Sequence, residues 1–307
     1  MYFVKASDDV SIAVYDYNPK GKKTVFLVHG WPLSHQMYEY QLEMLLSCGY
    51  RVVSLDLRGF GNSDVPAYGY SYDQMADDIY RVICALRLNR FVLVGFSMGG
   101  AVVLRYMRKY QCYGVERLIL LAAAAPCWTR REGFPYGLTR EYVNGLIRQA
   151  CTDRPRLAWE FSHEQLFASC QSEQIKDWFG DIALSASGIG TVQAAISLRD
   201  EDGRNDLEAV NVPTLLFTEK KMWWYPHSLW NINIWRLPVP DCSSWRTAAM
   251  ESCTMSWNGL MICFCLRWKG KNKLFTKNRQ PSLTRYLPVF TVHPAGHIYR
   301  CDKLRLR

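Results

Sequence analysis

Apolar and polar positions alternate between two regimes along the first two thirds of the chain. Val25-Phe26-Leu27-Val28 is a continuous apolar run, the signature of a strand buried on both faces in a parallel sheet. Tyr50-Arg51-Val52-Val53-Ser54-Leu55 and Phe91-Val92-Leu93-Val94 also read as strands. Between them, residues 73–88 place Met75, Ile79, Val82, Ile83 and Leu86 at helical spacing, which predicts a helix leading into the strand at Phe91. Ala101-Val102-Val103-Leu104-Arg105-Tyr106-Met107 predicts a second helix directly after that strand. Residues 117–122 and 214–218 predict two more strands. Helical segments fall between these, for example over residues 139–150 and 162–170.

The turn between the Phe91 strand and the following helix is Gly95-Phe96-Ser97-Met98-Gly99-Gly100. G-x-S-x-G between a strand and a helix is a nucleophile elbow, with Ser97 as the nucleophile. The serine occupies a strained turn, and Gly95 and Gly99 are small so that strand and helix can approach. The hydroxyl then sits at a helix N-terminus, where backbone N–H groups can hold an oxyanion. A glycine-rich turn ahead of a core helix is the plainer alternative; the flanking strand and helix favour the elbow.

The run ending at Val28 continues as His29-Gly30-Trp31-Pro32. The elbow mechanism takes one oxyanion donor from the residue after the nucleophile, here Met98. It takes the other from the loop after an earlier strand, here Trp31. His29 precedes the serine, whereas this kind of triad runs Ser, acid, His along the chain, so His29 reads as structural. A plain strand-to-helix turn is the alternative for these four residues. A third block, Asp56-Leu57-Arg58-Gly59-Phe60-Gly61-Asn62-Ser63-Asp64, holds turn formers and predicts an internal Asp–Arg pair that shapes the loop.

HGWPL, DLRGFGNSD, the YDQMADDI helix and LVGFSMGGAVVLRYM, in this order and spacing, resemble the cofactor-free haloperoxidase and esterase branch of the α/β-hydrolases. The similarity covers about residues 1–221. It implies an α/β fold, a mostly parallel sheet flanked by helices and topped by a helical cap. It also implies hydrolysis of a small acyl or ester substrate through an acyl-serine, with perhydrolysis as a side reaction and no haem, metal or other cofactor. The corresponding division is a core over residues 1–126, a cap over 127–205, a core strand over 206–221 and a basic tail over 222–307. Trp128, Phe134, Trp159, Phe161, Phe167 and Trp178 lie in the cap. Some are expected to roof an apolar acyl pocket and others to fill the cap's own core.

A length of 307 residues suits one α/β domain with such an insertion. The start, Met1-Tyr2-Phe3-Val4-Lys5-Ala6, lacks a basic region followed by a long apolar one, and no stretch is apolar enough to span a membrane. The 11 cysteines form no C-x-x-C pair. Residues such as Cys84 lie in apolar periodic segments and are expected to be reduced core residues of a cytoplasmic protein.

The chain changes character after Lys221. Of 37 basic and 28 acidic residues overall, residues 222–307 hold 13 and 3, a net +10 that leaves −1 for the first 221. The same stretch carries 7 of the 11 tryptophans. It has neither a helical period nor alternation, so weak core packing is expected from Met222 onward. Its basic run over 269–277 lacks a binding motif, so neither nucleic acid nor membrane is an expected partner.

Reading the coding sequence one base out of register, with the last base of each codon joined to the first two of the next, changes this picture. Lys221-Met222-Trp223-Trp224-Tyr225-Pro226 becomes (Asp or Asn)-Val-Val-Val-(Pro or Ser), with each valine forced by the code. Residues 247–259 become compatible with N-S-G-H-G-V-M-Y-D-E-L-E-W, in which the glycine at Glu251 and the glutamate at Asn258 are forced. These texts resemble the family's catalytic acid and catalytic histidine segments. They put the lost acid in the place of Met222 and the lost histidine in the place of Met250.

The sequence therefore reads as a hydrolase whose last part is out of frame and whose activity is impaired. Two alternatives remain at this stage. In one, Pro294-Ala295-Gly296-His297 supplies a substitute base, His297, assisted by an acid such as Glu219 or Asp241. In the other, the chain is a non-catalytic binding protein whose basic tail contacts anionic partners. A genuinely divergent C-terminus is the alternative to the frame displacement itself.

Overall fold

A computed structural model describes residues 1–6, 9–167, 170–217, 290–292 and 298–300. The apolar runs form one seven-stranded sheet: β1 (Tyr2–Lys5), β2 (Ser11–Tyr17), β3 (Thr24–Val28), β4 (Arg51–Leu55), β5 (Phe91–Phe96), β6 (Val115–Leu121) and β7 (Thr214–Phe217). The spatial order is β1-β2-β4-β3-β5-β6-β7. The β1–β2 and β2–β4 pairs are antiparallel and all the others parallel. The two continuous apolar runs, β3 and β5, lie side by side, with Val28 opposite Gly95. Parallel pairing brings their C-terminal ends to one edge of the sheet, where ligands of open α/β sheets bind. The HGWP loop and the elbow thus emerge next to each other.

Helices α1 (Glu39–Ser47), α2 (Tyr72–Ala85) and α3 (Met98–Lys109) pack against this sheet. α2 starts where the Ser71 hydroxyl accepts the Gln74 N–H, and it buries Met75, Ile79, Val82 and Ile83, the stripe its period predicts. Cys84 departs from expectation. It lies beside Ile83, off the apolar stripe, and is exposed. Among the described cysteines only Cys112 and Cys127 are buried, and all six are free thiols.

Between β6 and β7 the chain forms α4 (Arg140–Thr152), α5 (Arg154–Glu160), a π-turn (Phe161–Gln165), α6 (Glu173–Ser185) and α7 (Gly188–Asp200), followed by α8 (Arg204–Glu208). The helix expected over 162–170 is corrected to this short π-turn. The next helix begins only at Glu173, where the Ser172 hydroxyl accepts the Ile175 N–H. Arg105 of α3 ties these layers together. It bonds Asp73 of α2 at 2.7 Å, Glu201 beyond α7 at 3.1 Å and Asp206 of α8 at 2.8 Å.

In the segment where no period was expected, β8 (Phe290–Val292) pairs antiparallel with β9 (Ile298–Arg300). The expectation of weak packing from residue 222 onward otherwise lies outside the described residues. No single described helix is long and apolar enough to cross a membrane.

Candidate active site

Ser97 links β5 directly to α3 with φ 49° and ψ −116°, outside the common regions for a residue with a side chain. The surroundings hold it there. Its N–H donates to Leu121 O at 2.9 Å, and its carbonyl accepts from Ala124 N at 2.8 Å and Ala101 N at 3.3 Å. A Cβ on Gly95 would lie 2.7 Å from Gly99 O and from Val103 Cγ2, and one on Gly99 would lie 2.3 Å from His29 O. Both glycines therefore permit the close approach that the strained turn needs. Among the described residues Ser97 Oγ has no hydrogen-bond partner. Met98 is the first residue of α3, so its N–H has no acceptor within the helix.

The loop after β3 comes against the nucleophile: a Cβ on Gly30 would lie 3.0 Å from Ser97 Cβ. The peptide joining Gly30 to Trp31 is oriented by hydrogen bonds to its oxygen. Gly30 O accepts from His29 Nδ1–H at 2.9 Å and from Leu33 N–H at 2.9 Å. In a planar trans peptide the Trp31 N–H then points the opposite way, and it has no protein acceptor among the described residues. The His29 tautomer follows from its other nitrogen. Nε2 accepts the Leu57 N–H at 2.9 Å, so the ring proton is on Nδ1. Burial pushes the His29 pKa down to about 4, which keeps the ring neutral. His29 is thus a structural part of the loop, as its position ahead of the serine predicts.

The internal Asp–Arg pair expected within the third block does not form: neither Asp56 nor Asp64 pairs with Arg58. Arg58 reaches α2 instead and makes a bidentate pair with Asp78 at 2.6 and 2.7 Å, both side chains fully buried. Asp56 accepts from His35 N, His35 Nδ1, Asn62 N and the Tyr15 hydroxyl at 2.8–3.0 Å. Burial alone would push the Asp56 carboxyl up. The hydrogen bonds from His35 and the Asn62 N–H outweigh it and hold the carboxyl below its usual range. Sequence reading missed His35 because its partner lies across the sheet edge, not at a local spacing.

The six aromatic residues named for the cap divide by environment. Trp128 and Phe161 meet the Trp31 ring, with centroids 6.4 and 6.0 Å away. Phe167 and Trp178 pack on Phe179, and Phe134 joins Tyr136 and Cys127 in a small separate cluster. Trp159 is half exposed and stacks on His163.

Of the described histidines, His29 and His35 are engaged as above. His163 sits in the π-turn, with Nδ1 on Ser162 and Nε2 on Asp177. None of them bonds Ser97. Met222, Met250, Glu219, Asp241 and His297, the positions bearing on the base and acid, lie outside the described residues. Among the described residues no group of three or more His, Cys, Asp and Glu side chains is placed to hold a metal ion.

Comparison with known proteins agrees with this geometry. The α/β-hydrolase fold family model matches residues 23–223. The chain is 43% identical over 220 residues to the AB hydrolase superfamily protein YisY of Bacillus subtilis, covering 72% of this chain and 81% of that one. It is similar to an esterase from Exiguobacterium antarcticum, with a TM-score of 0.71 and 42% identity over 74% of this chain and 84% of that one. It is also similar to a bromoperoxidase from Bacillus anthracis, with a TM-score of 0.65 and 35% identity over 70% of this chain and 79% of that one. The strained serine at the strand-to-helix turn, the adjoining HGWP loop and these matches together make the chain a member of the α/β-hydrolase family.

Proposed function

We propose that this chain derives from a serine hydrolase of small carboxylic esters, with perhydrolysis as a side reaction, and that its activity is impaired. Ser97 is the nucleophile, and the N–H groups of Trp31 and Met98 are the oxyanion donors. In the intact reaction Ser97 Oγ attacks the ester carbonyl while a histidine takes its proton. The same proton passes to the leaving alcohol as the C–O bond breaks and the acyl-serine forms. Water then attacks the acyl-serine, a proton returns to Ser97 Oγ and the carboxylic acid departs. The observation that carries this reading is the juxtaposition of a strained serine with two backbone N–H groups that have no acceptor among the described residues.

The impairment rests on the sequence from residue 222. The family model ends at residue 223, beside the point where the displaced frame restores Asp-Val-Val-Val. A single displacement restores both an acid segment and a histidine segment. The chain keeps Ser97 and its oxyanion donors, while the family's acid and base are not encoded in the frame that is read.

The test compares three proteins on p-nitrophenyl acetate: the chain as it stands, a version read in the displaced frame from codon 222, and Ser97→Ala of that version. The first is expected to stay at or below about 10³–10⁴-fold over water, the most that oxyanion donors and binding alone leave. The second is expected to gain about 10³-fold or more, and the third to lose that gain. An inert frame-restored protein contradicts the proposal. So does robust turnover by the original chain that both Ser97→Ala and His297→Ala abolish, which assigns the base to His297.

A further inference from the structure

We infer that helix α7, although inserted between β6 and β7, is the positioning element of the oxyanion site and acts through the Trp31 indole; this rests on the role proposed for the Trp31 N–H. Gly30 carries no side chain and could not, since a Cβ there would meet Ser97 Cβ at 3.0 Å and Phe96 Cδ1 at 2.8 Å. The donor peptide therefore has no side-chain anchor on its Gly30 side beyond the two hydrogen bonds to its carbonyl. On its other side the anchor is Trp31. Its indole N–H donates to Thr191 O of α7 at 2.9 Å, 160 positions along the chain. A backbone carbonyl has two lone pairs, so Thr191 O can accept the indole and still serve its helix.

The anchor holds position only if α7 is itself fixed to the core, and it is. The Ser187 N–H and hydroxyl both donate to Gly59 O, at 3.1 and 2.8 Å. One turn on, Gly190 packs against the same residue, where an added Cβ would stand 2.5 Å from Gly59 O. The Ser197 hydroxyl donates to Tyr70 O at 2.7 Å. The Gly59–Gly190 contact sets the height of α7 over the core. The Thr191 carbonyl, one residue later, transfers that height to the indole and so to the donor peptide. Displacements of an ångström in a catalytic group can cost about 10²-fold in rate, so this chain of contacts bears on turnover more than on binding.

The test is Ser97 phosphonylation by a fluorophosphonate, in which the Oγ–P bond forms, the P–F bond breaks, and fluoride and the serine proton leave. The rate is followed by intact mass against reagent concentration in both the full chain and its frame-restored version. Trp31→Phe keeps the backbone N–H and an aromatic ring but removes the indole donor. Gly190→Ala keeps the indole but lifts α7 from Gly59. Both variants are expected to lower the limiting inactivation rate about tenfold or more, with the reagent concentration at half-maximal rate within about twofold of the parent. A pocket merely loosened would move that concentration instead. Unchanged limiting rates in both variants, with Ser97 still labelled in the parent, overturn the inference and leave the serine reading standing. Absence of labelling at Ser97 in both parents overturns the serine reading, and the inference with it.

Discussion

Residues 1–221 carry 24 basic and 25 acidic side chains, and residues 222–307 carry 13 and 3. The first region shows runs and periods that become β3, β5 and α2. The second shows neither, and holds 7 of the 11 tryptophans. Burial is periodic in a packed fold, so a sequence selected for packing carries period 2, period 3.6 or continuous apolar runs. A coding sequence read one base out of register loses the period but keeps the bases. Valine codons GTG-GTG become TGG when displaced, so a run of valines in one frame reads as tryptophans in the other, the pattern Trp223-Trp224 would show. On the reading proposed above, the abrupt change in charge and aromatic content is what a change of reading frame produces, and a basic, tryptophan-rich tail need not be a binding surface.

The comparison can be broken by measuring what each region contributes. The largest stability effect is expected at the buried Arg58–Asp78 pair. Asp78→Ala removes the bidentate partner of a fully buried guanidinium and should cost about 3–5 kcal/mol in urea unfolding. Asp241→Ala, in the region proposed to be out of frame, should change stability by less than about 0.5 kcal/mol. Comparable losses at both positions would remove the contrast.

A smaller effect belongs to His29. Its folded pKa, about 4, lies below the ordinary imidazole value of 6.5. Between those values the unfolded chain binds a proton that the folded chain does not. Stability is therefore fully present above about pH 6.5 and falls as pH drops toward 4, by roughly 3 kcal/mol from this group. Asp56, held below the usual carboxylate range, adds a loss of the same sign at lower pH. Urea unfolding at pH 7, 5.5 and 4 should show the decline, and His29→Gln should flatten it. An equal slope in the variant would mean that His29 is not the group responsible.

Much of the core was legible because its signals are local. Gly95, Ser97 and Gly99 act within one turn, and the α2 stripe repeats every few residues. The features missed depend on partners far along the chain. Arg58 was expected to pair with an aspartate of its own loop, yet its stem carries the guanidinium to Asp78 on α2. Cys84 falls inside an apolar segment, but one position around the helix turns it to solvent. The helix expected over 162–170 overlooked Ser172 as a start signal. Asp153 and Pro155 announced α5 just as plainly, with a capping side chain and a proline in the first turn. The indole bond from Trp31 to Thr191 left no trace in the sequence, because a backbone carbonyl accepts without regard to residue type.

The central claim is that the family's acid and histidine are encoded one base out of register, and the nucleotide sequence of this gene tests it most directly. An aspartate in the place of Met222 requires Lys221 to be encoded by AAG, since G joined to the first two bases of ATG gives GAT. A histidine in the place of Met250 requires Ala249 to be encoded by GCC, giving CAT, with Thr247 as ACA and Ala248 as GCG for the Ser-Gly before it. These four codons are the predicted result. Lys221 as AAA, or Ala249 ending in any base but C, gives no aspartate or no histidine at these positions and contradicts the claim.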